Sequence, residues 1–160
     1  MKYFLLGYTA KVAGTEAGVV EPQMTFSSCF GAPFLPLAPA HYAKMLGEKM
    51  EEHNTNVWLV NTGWVGGAYG VGSRIKLSYT RALIQAVLKG GLANSPFRVE
   101  TNFGLNIPVL CSNVPNSILD PKNSWEDKAA YDATAKKLLA AFEENYQKYH
   151  AEDVLEASAV

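Results

Sequence analysis

The stretch that most constrains this chain is a four-residue apolar run, Val57-Trp58-Leu59-Val60, followed at once by Asn61-Thr62-Gly63-Trp64-Val65-Gly66-Gly67-Ala68-Tyr69-Gly70-Val71-Gly72-Ser73-Arg74-Ile75. An unbroken apolar run of that length reads as a strand buried on both faces, as in an α/β sheet. Five glycines within ten residues then let the backbone take positive φ or approach a ligand closely. Loops at the carboxyl ends of α/β strands are where such folds bind ligands. The loop should lead through a short strand, Ile75-Lys76-Leu77, into a helix near Thr80. That helix turns Leu83, Ile84, Val87 and Leu88 inward and ends at Gly90 and Gly91.

The glycine spacing has two familiar patterns to answer to, and it meets neither. Gly67-x4-Gly72 has the spacing of a phosphate-binding Walker loop, but Ser73 and Arg74 stand where Lys and Ser or Thr are required. Gly70-x-Gly72 is followed by Ile75, which breaks the dinucleotide pattern. Spacing alone therefore supports a ligand loop and a hairpin-like glycine turn equally. On the same footing Arg74 reads as a surface arginine in a weak ion pair, ahead of a guanidinium stacked on a base or bound to phosphate.

The remaining segments supply context. Thr9 to Pro39 is rich in Gly, Pro, Ser and Thr with interleaved aromatics and no sustained period, so it either lines a site or packs on something outside this chain. Pro39 opens a helix whose face carries Tyr42, Met45, Leu46 and Met50. Short pieces between Phe97 and Pro121 read as extended surface chain, with one edge strand around Phe103 to Ile107. Ser124 and Asp127 have capping-box spacing ahead of a long amphipathic helix bearing Tyr131, Ala135, Leu138, Phe142, Tyr146 and Tyr149. No repeat or linker divides the 160 residues, so residues 1–160 are expected to form a single unit.

Composition narrows the function classes. Fourteen Lys and Arg balance fifteen Asp and Glu, which argues against a nucleic-acid or anionic-membrane partner. No run approaches the roughly 20 apolar residues of a membrane span, and the short apolar patch after Lys2 is a poor signal peptide. Cys29 and Cys111 are too few for a disulfide framework and read as reduced thiols in a cytoplasmic protein. Cys29 reads as a buried small hydrophobe, Lys11 as an exposed lysine, and Glu16 and Glu21 as solvated loop acids without sign of convergence. His41, His53 and His150 lie far apart, with no metal-ligand spacing.

Several blocks together resemble one family closely. Gly7-Tyr8-Thr9-Ala10-Lys11-Val12-Ala13-Gly14-Thr15-Glu16, Glu21-Pro22, and Thr25-Phe26-Ser27-Ser28-Cys29-Phe30-Gly31-Ala32 look like the ATP-dependent phosphoenolpyruvate carboxykinases. So do Val60-Asn61-Thr62-Gly63-Trp64, Gly72-Ser73-Arg74-Ile75, Thr80-Arg81-Ala82 and Ile118-Leu119-Asp120-Pro121. The blocks occur in order over nearly the whole chain. Departures are small: Ala38 and Ala40 stand where the family tends to have His and Thr, and Leu6 where Ser is common.

The resemblance implies an α/β fold equivalent to the C-terminal part of the family's mononucleotide-binding domain, a mixed sheet with flanking helices and a long C-terminal helix. It implies conversion of oxaloacetate and ATP to phosphoenolpyruvate, carbon dioxide and ADP, with Mg²⁺ and Mn²⁺, in gluconeogenesis. Arg74 and Ile75 match the pair that holds the adenine end of ATP, and Thr80 a nearby nucleotide contact. A flat guanidinium and an apolar side chain suit a purine. The family's G-x4-G-K-T-T loop, its metal-binding Lys, His and Asp, and its oxaloacetate-binding Arg have no counterpart here. No catalytic residue or metal ligand is therefore expected in this chain, and Met1 is expected to match an internal methionine. The partner expected is the N-terminal remainder of the enzyme, or a second copy through self-association. The rival reading is a non-catalytic fragment that binds adenine nucleotide weakly or serves as an assembly module.

Overall fold

Three short antiparallel pairings organise the strands in the computed structural model, which describes residues 1–11, 17–92 and 95–157, with side chains as far as Tyr149. Strand β1 (Tyr8–Lys11) pairs with β2 (Gln23–Phe26), β3 (Trp64–Val65) with β4 (Ser73–Arg74), and β5 (Phe97–Val99) with β6 (Asn106–Pro108). The helices are α1 (Lys2–Leu6), α2 (Pro39–His53), α3 (Leu77–Leu88), α4 (Pro121–Ser124) and α5 (Lys128–Ala157). Helices and small sheets are thus mixed as expected, but the single mixed sheet is not found among the described residues. Parallel pairing needs a crossover of a dozen or more residues, whereas each ladder here joins segments adjacent in the chain. Val57 to Val60 forms no helix or strand and has no ladder partner among the described residues, and Val57, Leu59 and Val60 are exposed rather than buried. Glu16 lies outside the described residues, as does the His150 side chain.

The contacts gather into two compact units, one of Met1–Val57 with the end of α5 from Ala140, the other of Trp58–Leu139. In the first, Thr9 to Pro39 proves less irregular than its composition implies, because it contains the β1–β2 hairpin and two 3₁₀ turns, Ser28–Phe30 and Ala32–Phe34. Tyr8 stands directly across from Phe26, and opposed residues share a face. Their rings meet the buried Phe142 ring edge-on at 5.4 and 5.7 Å, and Tyr3 adds a fourth ring at 5.6 Å. Gly7 ends α1 in the left-handed region at φ 56°, and a Cβ there would overlap the Ser27 carbonyl. Pro39 begins α2 as its spacing predicts, and Asn54 closes it at φ 47°. Of the expected α2 face, Tyr42, Leu46 and Met50 are half-buried and Met45 is exposed.

The core of the second unit is Leu92, Cys111, Val114 and Leu119, with Trp58, Tyr79, Leu83, Val87 and Ile107 packed against it. Of the four α3 residues expected inward, Leu83 and Val87 face the core, beside Tyr79, Ala82 and Ala86. Ile84 and Leu88 are exposed, because one i, i+4 row with the small Ala82 and Ala86 already covers the contact. The Glu100 carboxylate accepts the Asn102 and Phe103 N–H groups at 2.9 and 2.6 Å, and Gly104 follows at φ 66°. That turn displaces the expected strand at Phe103 to Ile107 toward Asn106–Pro108. The capping box is also corrected. Ser124 ends α4, which Asp120 caps through the Asn123 N–H, while Asp127 caps α5 alone by accepting from Ala129 and Ala130. The buried Tyr131, Ala135 and Phe142 and the half-buried Leu138, Tyr146 and Tyr149 follow the predicted period. No helix among the described residues is long and apolar enough to cross a membrane.

Candidate nucleotide site on the glycine hairpin

The candidate site grows out of one turn. After Val60 the Asn61 side-chain oxygen accepts the Gly63 N–H at 2.9 Å, the local loop that Asn favours. This turns the chain into β3. The segment from Gly66 to Gly72 then reverses it into β4, so the glycine stretch is a hairpin turn, the plainer of the two readings its spacing allowed. Gly66 and Gly70 take φ 78° and 84°, a region closed to most side chains. Gly67 and Gly72 have a different task, since a Cβ on Gly72 would overlap the Gly67 carbonyl and lie 2.7 Å from the Gly67 nitrogen and Val65 oxygen. The two glycines whose spacing mimics a phosphate loop form the neck of the hairpin. The Ala68 carbonyl accepts the Val71 and Gly72 N–H groups at 3.0 and 2.8 Å and tightens the tip.

Across the neck, Trp64 stands opposite Arg74 and Val65 opposite Ser73. The Ile75 N–H donates to the Gly63 carbonyl at 2.9 Å, so Gly63–Ile75 is a hydrogen-bonded rung. Alternation makes Trp64–Arg74 the other kind, in which Cα atoms stand about 4.5 Å apart and side chains are closest. The Trp64 ring is half-buried and takes the Tyr69 ring edge-on at 5.3 Å and 84°. Arg74 is exposed, and among the described residues no carboxylate lies within ion-pair distance of it.

The strand expected at Ile75 to Leu77 therefore sits slightly earlier. The bond to Gly63 ends the ladder, and Lys76 becomes the N-cap of α3 with its carbonyl accepting from Tyr79 and Thr80. Arg74 and Ile75 are neighbours at the base of the hairpin, the first exposed and the second half-buried. Thr80 lies in the first turns of α3 and is only 9% exposed. Trp64 and Tyr69 join the site through the strand register that sets Trp64 against Arg74 and the ring contact that follows from it.

Burial pushes the Cys29 and Cys111 thiols up, which lowers their thiolate fraction and suits packing rather than nucleophilic chemistry. Cys29 and Phe30 nevertheless hold positive φ of 51° and 60°, fixed by the Cys29 thiol donating to the Pro39 carbonyl and by bonds around Ser27 and Ser28. Among the described residues no three His, Cys, Asp or Glu side chains converge as a metal-binding group.

A family model described as phosphoenolpyruvate carboxykinase matches residues 1–117. A curated relative named phosphoenolpyruvate carboxykinase (ATP) from Caldanaerobacter subterraneus subsp. tengcongensis is 60% identical over 149 residues, 93% of this chain and 29% of its own length. Relatives of the same name from Geotalea uraniireducens and Thermus thermophilus are each 56% identical over 160 residues, covering 100% and 98% of this chain. The chain spans about 30% of the length of those two relatives.

Proposed function

This chain belongs to the phosphoenolpyruvate carboxykinase family, and we propose that it forms the adenine-binding side of an ATP-dependent member acting in gluconeogenesis in the cytoplasm. The reaction of the whole enzyme would be oxaloacetate plus ATP to phosphoenolpyruvate, carbon dioxide and ADP. One observation carries the assignment: an exposed guanidinium without an ion partner among the described residues, beside a half-buried Ile75, at the base of a glycine-locked hairpin.

The chemistry fits a purine. Arg74 offers a planar cation that stacks on a base, and Ile75 an apolar wall. Thr80 is buried in this structure at 9% exposure, so its share in the contact is read as minor. Phosphoryl transfer relies on metal ions and cationic groups around the phosphates. On this reading Mg²⁺ and Mn²⁺, with the groups that hold them, are supplied by the remainder of the whole enzyme. Within the family's nucleotide-binding domain this chain is read as one unit, with the remainder of the enzyme as its partner.

Calorimetric titration of the chain with Mg-ATP tests the reading. Binding is expected in the millimolar range, as an adenine contact worth about 1–3 kcal/mol of stacking plus a single cation allows, and Arg74→Ala should weaken it beyond calorimetric detection. Absence of heat at millimolar nucleotide would overturn the assignment. Oxaloacetate-dependent ADP formation by the chain alone would overturn its restriction to the adenine side.

A further inference from the structure

Arg74 is a long side chain on the exposed face of a two-residue strand, and nothing in its own strand fixes the direction of its guanidinium. Its cross-strand partner does offer a fixed surface. Trp64 stands directly opposite in the rung where side chains come closest. The indole is itself held, since it is half-buried and braced edge-on by Tyr69 at 5.3 Å. Tyr69 lies in a loop whose neck is closed by the backbone contact of Gly67 with Gly72. Glycine neck, Tyr69, indole and Arg74 thus belong to one hairpin, with Trp64 and Arg74 paired by register.

We infer that Trp64 is a positioning residue for the nucleotide site, acting through Arg74: its indole limits the directions of the arginine stem and keeps the guanidinium over the position of the purine. The inference rests on the adenine-side reading above. Ordering a rotamer-rich side chain in advance removes that cost from binding. The bland alternative is that Trp64 only stabilises the hairpin, in which case its loss would weaken binding whether or not Arg74 is present.

A double-mutant cycle on the full chain separates the two, with Mg-ATP affinity and thermal melting measured for each variant. Trp64→Ala is expected to weaken binding about three- to tenfold with Arg74 in place, and not at all in an Arg74→Ala background, as coupled residues require. Residual binding in that background is read by saturation-transfer NMR on the adenine protons. Trp64→Leu, which keeps apolar bulk and guards against misfolding, should weaken binding likewise, and Trp64→Phe, which keeps a flat ring, should restore it. Equal losses in both backgrounds, or wild-type affinity in Trp64→Leu while Arg74→Ala is impaired, would overturn the positioning role and leave the adenine-side reading intact. Wild-type affinity in Arg74→Ala would overturn both.

Discussion

Trp64 and Arg74 face each other across the two-residue ladder of the glycine hairpin, in the rung adjoining the Ile75-to-Gly63 hydrogen bond. On the positioning reading, a tryptophan in that place gives an exposed arginine a wall to lie against. The geometry of a rung, rather than the identity of either residue, makes the pair informative.

Arg74→Lys should behave like Arg74→Ala toward Mg-ATP. Lysine keeps the charge but not the planar guanidinium that stacks on a base. Titration calorimetry checks this, and near wild-type affinity in the lysine variant would mean that charge alone suffices.

The glycines of the hairpin should rank by environment. A Cβ on Gly70 meets nothing within 4 Å, so Gly70→Ala incurs only the left-handed backbone strain, about 1–2 kcal/mol. Gly72 carries no left-handed strain. Its Cβ would instead overlap the Gly67 carbonyl and lie 2.7 Å from the Gly67 nitrogen and Val65 oxygen, backbone atoms that cannot swing aside. The cost falls at or above the top of the overpacking range, about 3 kcal/mol. Thermal melts should therefore place Gly72→Ala well below Gly70→Ala, with nucleotide binding lost in the former.

Arg98 links β5 to the start of α4, donating to Asp120 at 2.6 Å and to the Leu119 carbonyl at 2.7 Å. Desolvation pushes the Asp120 carboxyl up, but hydrogen bonds from Arg98 and Asn123 outweigh it and hold the group below its ordinary value. A depressed folded-state value means that the stabilisation is present above the unfolded pKa, about 3.9, and is lost as pH falls through the folded one. Asp120→Asn should flatten this acid limb in denaturation measured from pH 5 downward. Arg98→Ala should cost about 1–2 kcal/mol at neutral pH, after discounting for the partial exposure of the pair.

Phe142 is the ring on which Tyr3, Tyr8 and Phe26 converge. Phe142→Ala should cost about 3–5 kcal/mol, a large part of the stability of a domain this size. Circular dichroism melts would show it, and a loss under 1 kcal/mol would mean that the four rings do not pack as described.

Phe34 is 86% exposed and Leu37 54%, and exposed apolar patches of this kind drive association. The chain alone should self-associate, and Phe34→Ser with Leu37→Ser should shift sedimentation velocity profiles toward monomer. Identical profiles for wild type and variant would place the contact elsewhere.

Legibility from sequence followed the range of the interactions involved. Periodicity located α2, α3 and α5, because a helix's hydrogen bonds are local and its apolar stripe is written at i, i+3 and i+4. Pro39 and Gly90 marked ends for the same reason. Strands fared worse. Val57 to Val60 has the composition of a buried strand, yet burial depends on what covers it, and Leu59 is 53% exposed. The β1–β2 hairpin was hidden by its long connection, and Asn106–Pro108 was displaced by the Glu100 turn, which depends on one carboxylate reaching two N–H groups. At the site, the pattern of the blocks pointed to Arg74, Ile75 and Thr80, whereas the pairing of Trp64 with Arg74 required a register that spacing does not determine.

The raised thiols of half-buried Cys29 and buried Cys111 have a practical consequence for reporter chemistry. Alkylating dyes react with thiolates, so near neutral pH both native sulfurs should label slowly. A cysteine placed at Val71, 81% exposed at the tip of the glycine hairpin, would outpace them. A single fluorophore could then be set on that turn without first removing either native cysteine, giving an optical signal from the hairpin itself.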